Sequence, residues 1–136
     1  MGDIKTFVDT LETRLATIPG LRIYDGPVTN VNEFPCAIIE DHNPLAQYTV
    51  VSDEAVYFLT VTVLHGSNDA REAWEGLEPY LAARGSQSVR SAVDLTSGVD
   101  MSYIHVVSSS SRRRIQYAGA FYWGAELLVE GRAKLT

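Results

Sequence analysis

The sequence has one cysteine, Cys36, so no internal disulfide can form, and no C-x-x-C spacing is present for zinc or thiol redox chemistry. Nothing in that usage points to an oxidising compartment. Basic residues are also scarce: 11 Lys and Arg stand against 17 Asp and Glu, leaving a net charge of −6 and a pI near 4.9. A protein built to grip nucleic acid carries the opposite sign, because its affinity comes from neutralising phosphates. Long apolar runs are missing, so no segment approaches the roughly 20 residues that span a membrane. Met1–Asp9 holds charges at Asp3, Lys5 and Asp9 and lacks the apolar stretch of a secretory signal. Met1-Gly2-Asp3-Ile4-Lys5-Thr6 fits a loose myristoylation pattern, but no polybasic patch supplies the second anchor that stable membrane binding needs.

What is present is enough for a core. Hydrophobic residues make up 46% of 136 residues and charged residues 21%, which suits one domain spanning 1–136. Apolar positions at Ile4, Phe7, Val8, Leu11, Leu15 and Ile18 follow helical spacing, with Asp3 as the cap and Pro19-Gly20 as the stop. Leu21–Tyr24 alternates as a short strand, and Asp25-Gly26-Pro27 opens a loop. Cys36–Glu40 is apolar on both faces, as in a central strand, and Asp41-His42-Asn43-Pro44 is expected to end it. Two β-rich runs follow, Gln47–Ser52 and Glu54–His65. The second would extend nearly 40 Å at about 3.3 Å per residue, so part of it is expected to overreach a small core.

Gly66–Asp69 reads as a turn and helix start, with Ser67, Asn68 or Asp69 as the cap. Ala70, Ala73, Trp74, Leu77 and Leu81 then keep helical spacing toward Gly85, and Pro79 should kink or split that helix. A second short helix, Val89–Val93, takes Ser86 or Ser88 as its cap, and Thr96-Ser97-Gly98 closes it. The last strands are Asp100–Ser108 and Gly119–Glu130, the latter with Phe121, Trp123, Ala125, Leu127 and Val129 on one face. The predicted fold is α+β: a mainly antiparallel sheet packed on an N-terminal helix and a central helical pair, with long protruding hairpins.

Catalytic signatures are thin. Glu40, Asp41 and His42 lack metal-ligand spacing, and His65 and His105 belong to other strands, with His65 expected at the surface. No nucleophile elbow, Walker loop or dinucleotide fingerprint occurs. Cys36 is expected to behave as a small buried hydrophobe. No catalytic, cofactor or metal residue is assigned.

The one biased stretch is Ser108–Arg114, four serines and three arginines in an acidic chain. It reads either as a solvated hairpin tip or as a mobile arm whose Arg112, Arg113 and Arg114 pair with carboxylates of a neighbouring molecule. Tyr117, Tyr122 and Trp123 gather close by. Alternation would turn Phe121 and Trp123 inward and Tyr122 outward, and an outward tyrosine suits a protein contact. Arg112, Arg113, Arg114, Tyr117 and Tyr122 are therefore the candidate interface residues.

Taken in order, several segments resemble tail-terminator (tail-completion) proteins of long-tailed bacteriophages, especially those of actinobacterial phages. They are Ile18-Pro19-Gly20-Leu21 with Ile23-Tyr24-Asp25, the Pro35-led strand, and Phe58–Leu64. Leu77–Leu81, Gly85–Ala92 and Tyr122–Val129 continue the likeness. The resemblance implies a structural virion protein rather than an enzyme, with no cofactor. It further implies a homohexameric ring at the head–tail junction, assembled in the host cytoplasm. Such a ring stops growth of the tail tube, with tail-tube protein on one side and head-completion or connector protein on the other. Genome DNA would pass through the lumen without specific binding; six copies at −6 each total −36, a charge that repels the passing strand if it faces inward. Another neck or minor tail adaptor of the same fold, or a small cytoplasmic ligand-binding α+β protein, remains as the alternative.

Overall fold

The computed structural model describes residues 4–48, 54–94 and 103–134. Helix α1 (Ile4–Leu15) buries Phe7, Leu11 and Leu15, and Ile18 continues the same stripe beyond its end. The helix itself ends at Leu15, before the stop expected at Pro19-Gly20; Gly20, at φ 74°, takes a left-handed turn just ahead of Leu21. The cap expected at Asp3, and the closing Thr96-Ser97-Gly98, lie outside the described residues.

Six strands form one sheet: β1 (Arg22–Tyr24), β2 (Cys36–Tyr48), β3 (Glu54–His65), β4 (Tyr103–Ser109), β5 (Arg113–Tyr117) and β6 (Ala120–Lys134). They lie in the order β1-β2-β3-β6-β4, and β5 also pairs with β6. Only β1 and β2 run parallel, so the sheet is mainly antiparallel and the fold is α+β. Helices α2 (Ala70–Leu81) and α3 (Val89–Val93) join α1 over one face. Their core includes Ile39, Leu59, Val61, Leu127 and Val129, the odd-numbered positions that alternation sends to a single side. Arg14 ties two helices together: its guanidinium donates to the Val93 carbonyl at 3.1 Å and the Asp94 carbonyl at 2.9 Å, at the C-terminal end of α3. On the opposite face Cys36, Ile38 and Leu64 are covered by the segment carrying Val28, Val31 and Phe34. No helix among the described residues is long and apolar enough to cross a membrane.

Several sequence expectations change. Strand β2 does not stop at Asp41-His42-Asn43-Pro44; it runs on to Tyr48, joining what looked like two strands. The register against β3 shifts between Asp41 and Ala46, and Pro44 sits inside that irregularity, where its missing N–H breaks no ladder bond. The remainder of the run expected at Gln47–Ser52 lies outside the described residues. Strand β3 is paired on both sides along its length, and Ala55, Val56 and Tyr57 are buried, so equally long neighbours cover a strand that looked too long for its core.

Pro79 does not split α2. It falls in the last turn, and the helix ends two residues later at Leu81. Asp69 is the cap, its carboxylate accepting from the Glu72 N–H at 2.9 Å, and Ser88 caps α3 by accepting from the Ser91 N–H at 3.1 Å. His65 is half-buried rather than superficial: Nδ1 accepts from the Ser67 N–H at 3.1 Å, and the ring packs where a Cβ on Gly76 would come within 2.6 Å of it.

Candidate functional site

The serine–arginine stretch is neither a hairpin tip nor an arm. Arg113–Tyr117 is strand β5, and the reversal comes later, at Ala118 (φ 51°) and Gly119 (φ 81°). Strands β4 and β5 lie end to end along the same side of β6, with β4 opposite Leu127–Arg132 and β5 opposite Ala120–Gly124. Ser110 bridges the gap between them. Its N–H donates to the Glu126 carbonyl at 2.7 Å, and its hydroxyl accepts from the Glu126 N–H at 2.9 Å. A serine therefore occupies the place of a ladder residue. Polar residues in this run looked like loop because both faces of an edge strand can be wet, and charge there discourages uncontrolled pairing.

Each arginine is positioned. Arg112 lies over the Trp74 indole of α2, with Cζ 3.3 Å from the ring centroid, and its Nη1 donates to the Trp74 carbonyl at 3.0 Å. Arg113 reaches across the sheet to Glu126, Nη2 to Oε1 at 2.9 Å. Arg114 stands with Cζ 5.1 Å from the centroid of the Phe121 ring. Among the described residues neither Arg112 nor Arg114 has a carboxylate in ion-pair range. Their charge is held in place by aromatic faces but not neutralised.

Tyr117 and Tyr122, the other two candidates, turn to the far face. The Tyr117 hydroxyl accepts from the Val28 N–H at 3.3 Å and also bonds the Glu40 carboxylate. Burial, foremost, pushes its acidity down and its pKa up. The Tyr122 ring packs 5.1 Å from that of Phe34. Both hold the 25–34 segment on the sheet, so the outward tyrosine expected at 122 is instead a packing residue. The inward residue expected at 121 is instead exposed.

The residues that sequence reasoning missed are apolar. The large hydrophobic side chains exposed among the described residues are Tyr48 (71%), Phe121 (59%), Val107 (47%) and Trp74 (43%), and the last three share the β4–β5 edge. Trp74 sits in the apolar stripe of α2, yet the helix buries Ala73, Leu77 and Tyr80 instead. Val107 is displaced where the β4 register shifts between Val106 and Ser108. Phe121 obeys the alternation, but no helix covers that end of β6. Shallow grooves flank the arginines: one of about 490 Å³ between α2 and Ser109–Arg112, and one of about 370 Å³ between Arg114, Phe121 and the 65–70 turn.

Elsewhere the polar groups are quiet. Burial pushes the Cys36 thiol up to about 12, against a smaller opposing effect of a backbone hydrogen bond at Leu64, so it holds its proton at neutral pH. The His42 Nδ1 lies 3.3 Å from the Thr60 hydroxyl, and no group of three or more His, Cys, Asp or Glu among the described residues is placed to hold a metal. What the β5 edge can do chemically is bind: two oriented guanidinium groups, exposed rings beside them, and a strand whose outer side pairs with no other described strand. No protein-family model matches the chain, and no curated protein matches it either.

Proposed function

We propose that this chain is a structural virion subunit: the ring-forming tail terminator of a long-tailed bacteriophage. In this reading it caps the tail tube, stops its growth and joins it to the head through a connector protein. The observation that carries the reading is the β4–β5 edge: among the described residues its outer side has no strand partner, and beside it lie three exposed apolar side chains and two arginines with no carboxylate in ion-pair range. Aromatic residues and arginine are the usual anchors of protein contacts. A sheet edge left open in a lone subunit is covered when copies assemble into a closed ring. Agreement between this edge and the segment-by-segment resemblance to tail terminators supports a structural role over a ligand-binding one. The surface concavities also support it: they are shallow, and polar and apolar groups share them without converging on one buried point.

The test is the mass of the purified protein by light scattering, alone and with tail-tube protein, followed by electron microscopy of any assembly. A closed ring, formed alone or on the end of a tube, is the expected result. A monomer at all concentrations that ignores tube ends overturns the proposal.

A further inference from the structure

The sheet has a second open edge, on the side away from β5. Strand β1 pairs with β2 only at Cys36, Ala37 and Ile38, so the outer side of β2 from Ile39 onward has no strand partner among the described residues. This edge is acidic. Asp41 and Glu40 lie on β2, and Asp25 follows β1; these three line a groove of about 350 Å³ that also includes Val8 of α1 and Ile39. Glu12 of α1 adds a fourth carboxyl, close enough to Asp25 to hydrogen-bond and to be repelled by it. The basic residues nearby are already engaged with other acids: Lys5 with Asp9 at 2.7 Å, and Arg22 with Glu33 at 3.6 Å. Among the described residues the three groove carboxyls, with Glu12 next to Asp25, are therefore left with surplus negative charge. Farther along the same strand, at the end of β2, Tyr48 is the most exposed aromatic side chain of the described residues.

We propose that the β5 edge of one copy docks on the β2 edge of the next, head to tail, with Arg112 and Arg114 meeting the carboxylates around Asp25 and Asp41. The inference rests on the ring reading and names its contact surfaces. Three features converge on a second copy as the occupant. The two edges belong to one molecule, so they are present in equal number. They lie on opposite sides of the sheet, which suits a heterologous contact that repeats around a ring rather than a two-fold dimer. Their charges are opposite and, among the described residues, neither set is ion-paired within its own chain, so pairing them relieves both. Arginine is suited to this, because its planar fork stays charged while lying against an aromatic ring.

The experiment uses two charge-reversed variants of the full chain, R112E/R114E and D25K/D41K. Circular dichroism and melting curves first establish that each is folded; R114E alone, which keeps the Arg112–Trp74 contact, serves if the double variant is not. Each variant by itself should lose the ring seen for the unaltered protein, with association at least about tenfold weaker. Mixed in equal amounts they should regain it, because acidic and basic edges then alternate around the assembly. Rings formed by either variant alone, or a mixture that stays dissociated, overturn the edge pairing while leaving a ring subunit intact as a reading. Variants that form normal rings but fail to bind tail-tube protein also overturn it, and assign the β5 edge to the tube instead. An unaltered protein that never exceeds a monomer, with or without the tube, removes the ring reading and this inference together.

Discussion

Arg112 stacks on Trp74 with its guanidinium carbon 3.3 Å from the ring centroid, and the same group donates at 3.0 Å to the tryptophan's own carbonyl. One residue between β4 and β5 is thus fastened twice to α2, across 38 positions of sequence. The contact fixes the direction in which the edge presents its charge. Less side-chain entropy is then lost when a partner binds, which is how preorganised surfaces gain affinity.

Replacing Trp74 by Ala should separate assembly from folding. The ring is 43% exposed, so its loss should cost about 1 kcal/mol of monomer stability, the range of an exposed cation–π contact. Ring formation, measured by light scattering, should fall much further, since both an anchor and the support for Arg112 disappear. Arg112→Lys should be intermediate, because an ammonium keeps the charge but not the planar stack. Normal rings from Trp74→Ala would remove this contact from the interface.

Gly124 tests the packing between β6 and β3. A Cβ there would come within 2.6 Å of the Val63 carbonyl oxygen and 2.8 Å of Leu64 Cδ2. The carbonyl belongs to the ladder and cannot swing aside, so two central strands would have to separate. Gly124→Ala should therefore destabilise the chain by about 1–3 kcal/mol, the range for overpacking a core. Urea unfolding checks this, and an unchanged midpoint would mean the strands yield more easily than the register suggests.

Much of this was legible in the sequence where one period governed a long segment. The helical spacing of Phe7, Leu11, Leu15 and Ile18 named one face, and all four are buried. Legibility failed where polarity and strand geometry disagree. Arg113 and Arg114 read as loop because edge strands need no apolar face, and Asn43-Pro44 read as a stop because a β-bulge leaves no trace in the pattern. At the candidate site the arginines could be named from composition. Trp74 and Phe121 could not, because alternation assigns a residue to a face without saying how far the helices extend over it. The acidic counterpart was hidden for another reason: Glu12, Asp25 and Asp41 are brought together only by the parallel pairing of β1 with β2.

Cys36 provides a probe of the intact core. It is fully buried, and burial raises its pKa from 9.0 to about 12. The folded chain therefore keeps a proton that the unfolded chain releases. That contribution to stability is fully present below about pH 9 and is lost as pH rises toward 12. A thiol reagent at pH 8 should leave the native protein unlabelled and modify one group per chain after denaturation. Rapid labelling of the native state would show that β2 opens readily at its parallel edge.

Glu40 gives a prediction with the opposite practical use. Burial, foremost, raises its pKa above the ordinary 4.5; Glu126 and Asp41 push the same way, and the hydrogen bond from Tyr117 partly opposes them. A raised carboxylate favours the folded state while it is protonated, so its contribution is complete below 4.5 and disappears as pH climbs through the raised value. Once ionised, the group is a net cost to the monomer. Glu40→Gln removes the charge and keeps an oxygen for the Tyr117 hydroxyl, so the variant should melt higher than the unaltered chain at pH 7. The gap should narrow as pH falls below the raised value, where Glu40 is itself neutral. Melting curves at pH 7 and pH 4, taken at dilution low enough to keep the chain monomeric, decide it. An equal gap at both pH values would mean the substitution acts through packing, and a lower melting point at pH 7 would mean the Tyr117 bond to a charged carboxylate outweighs its burial.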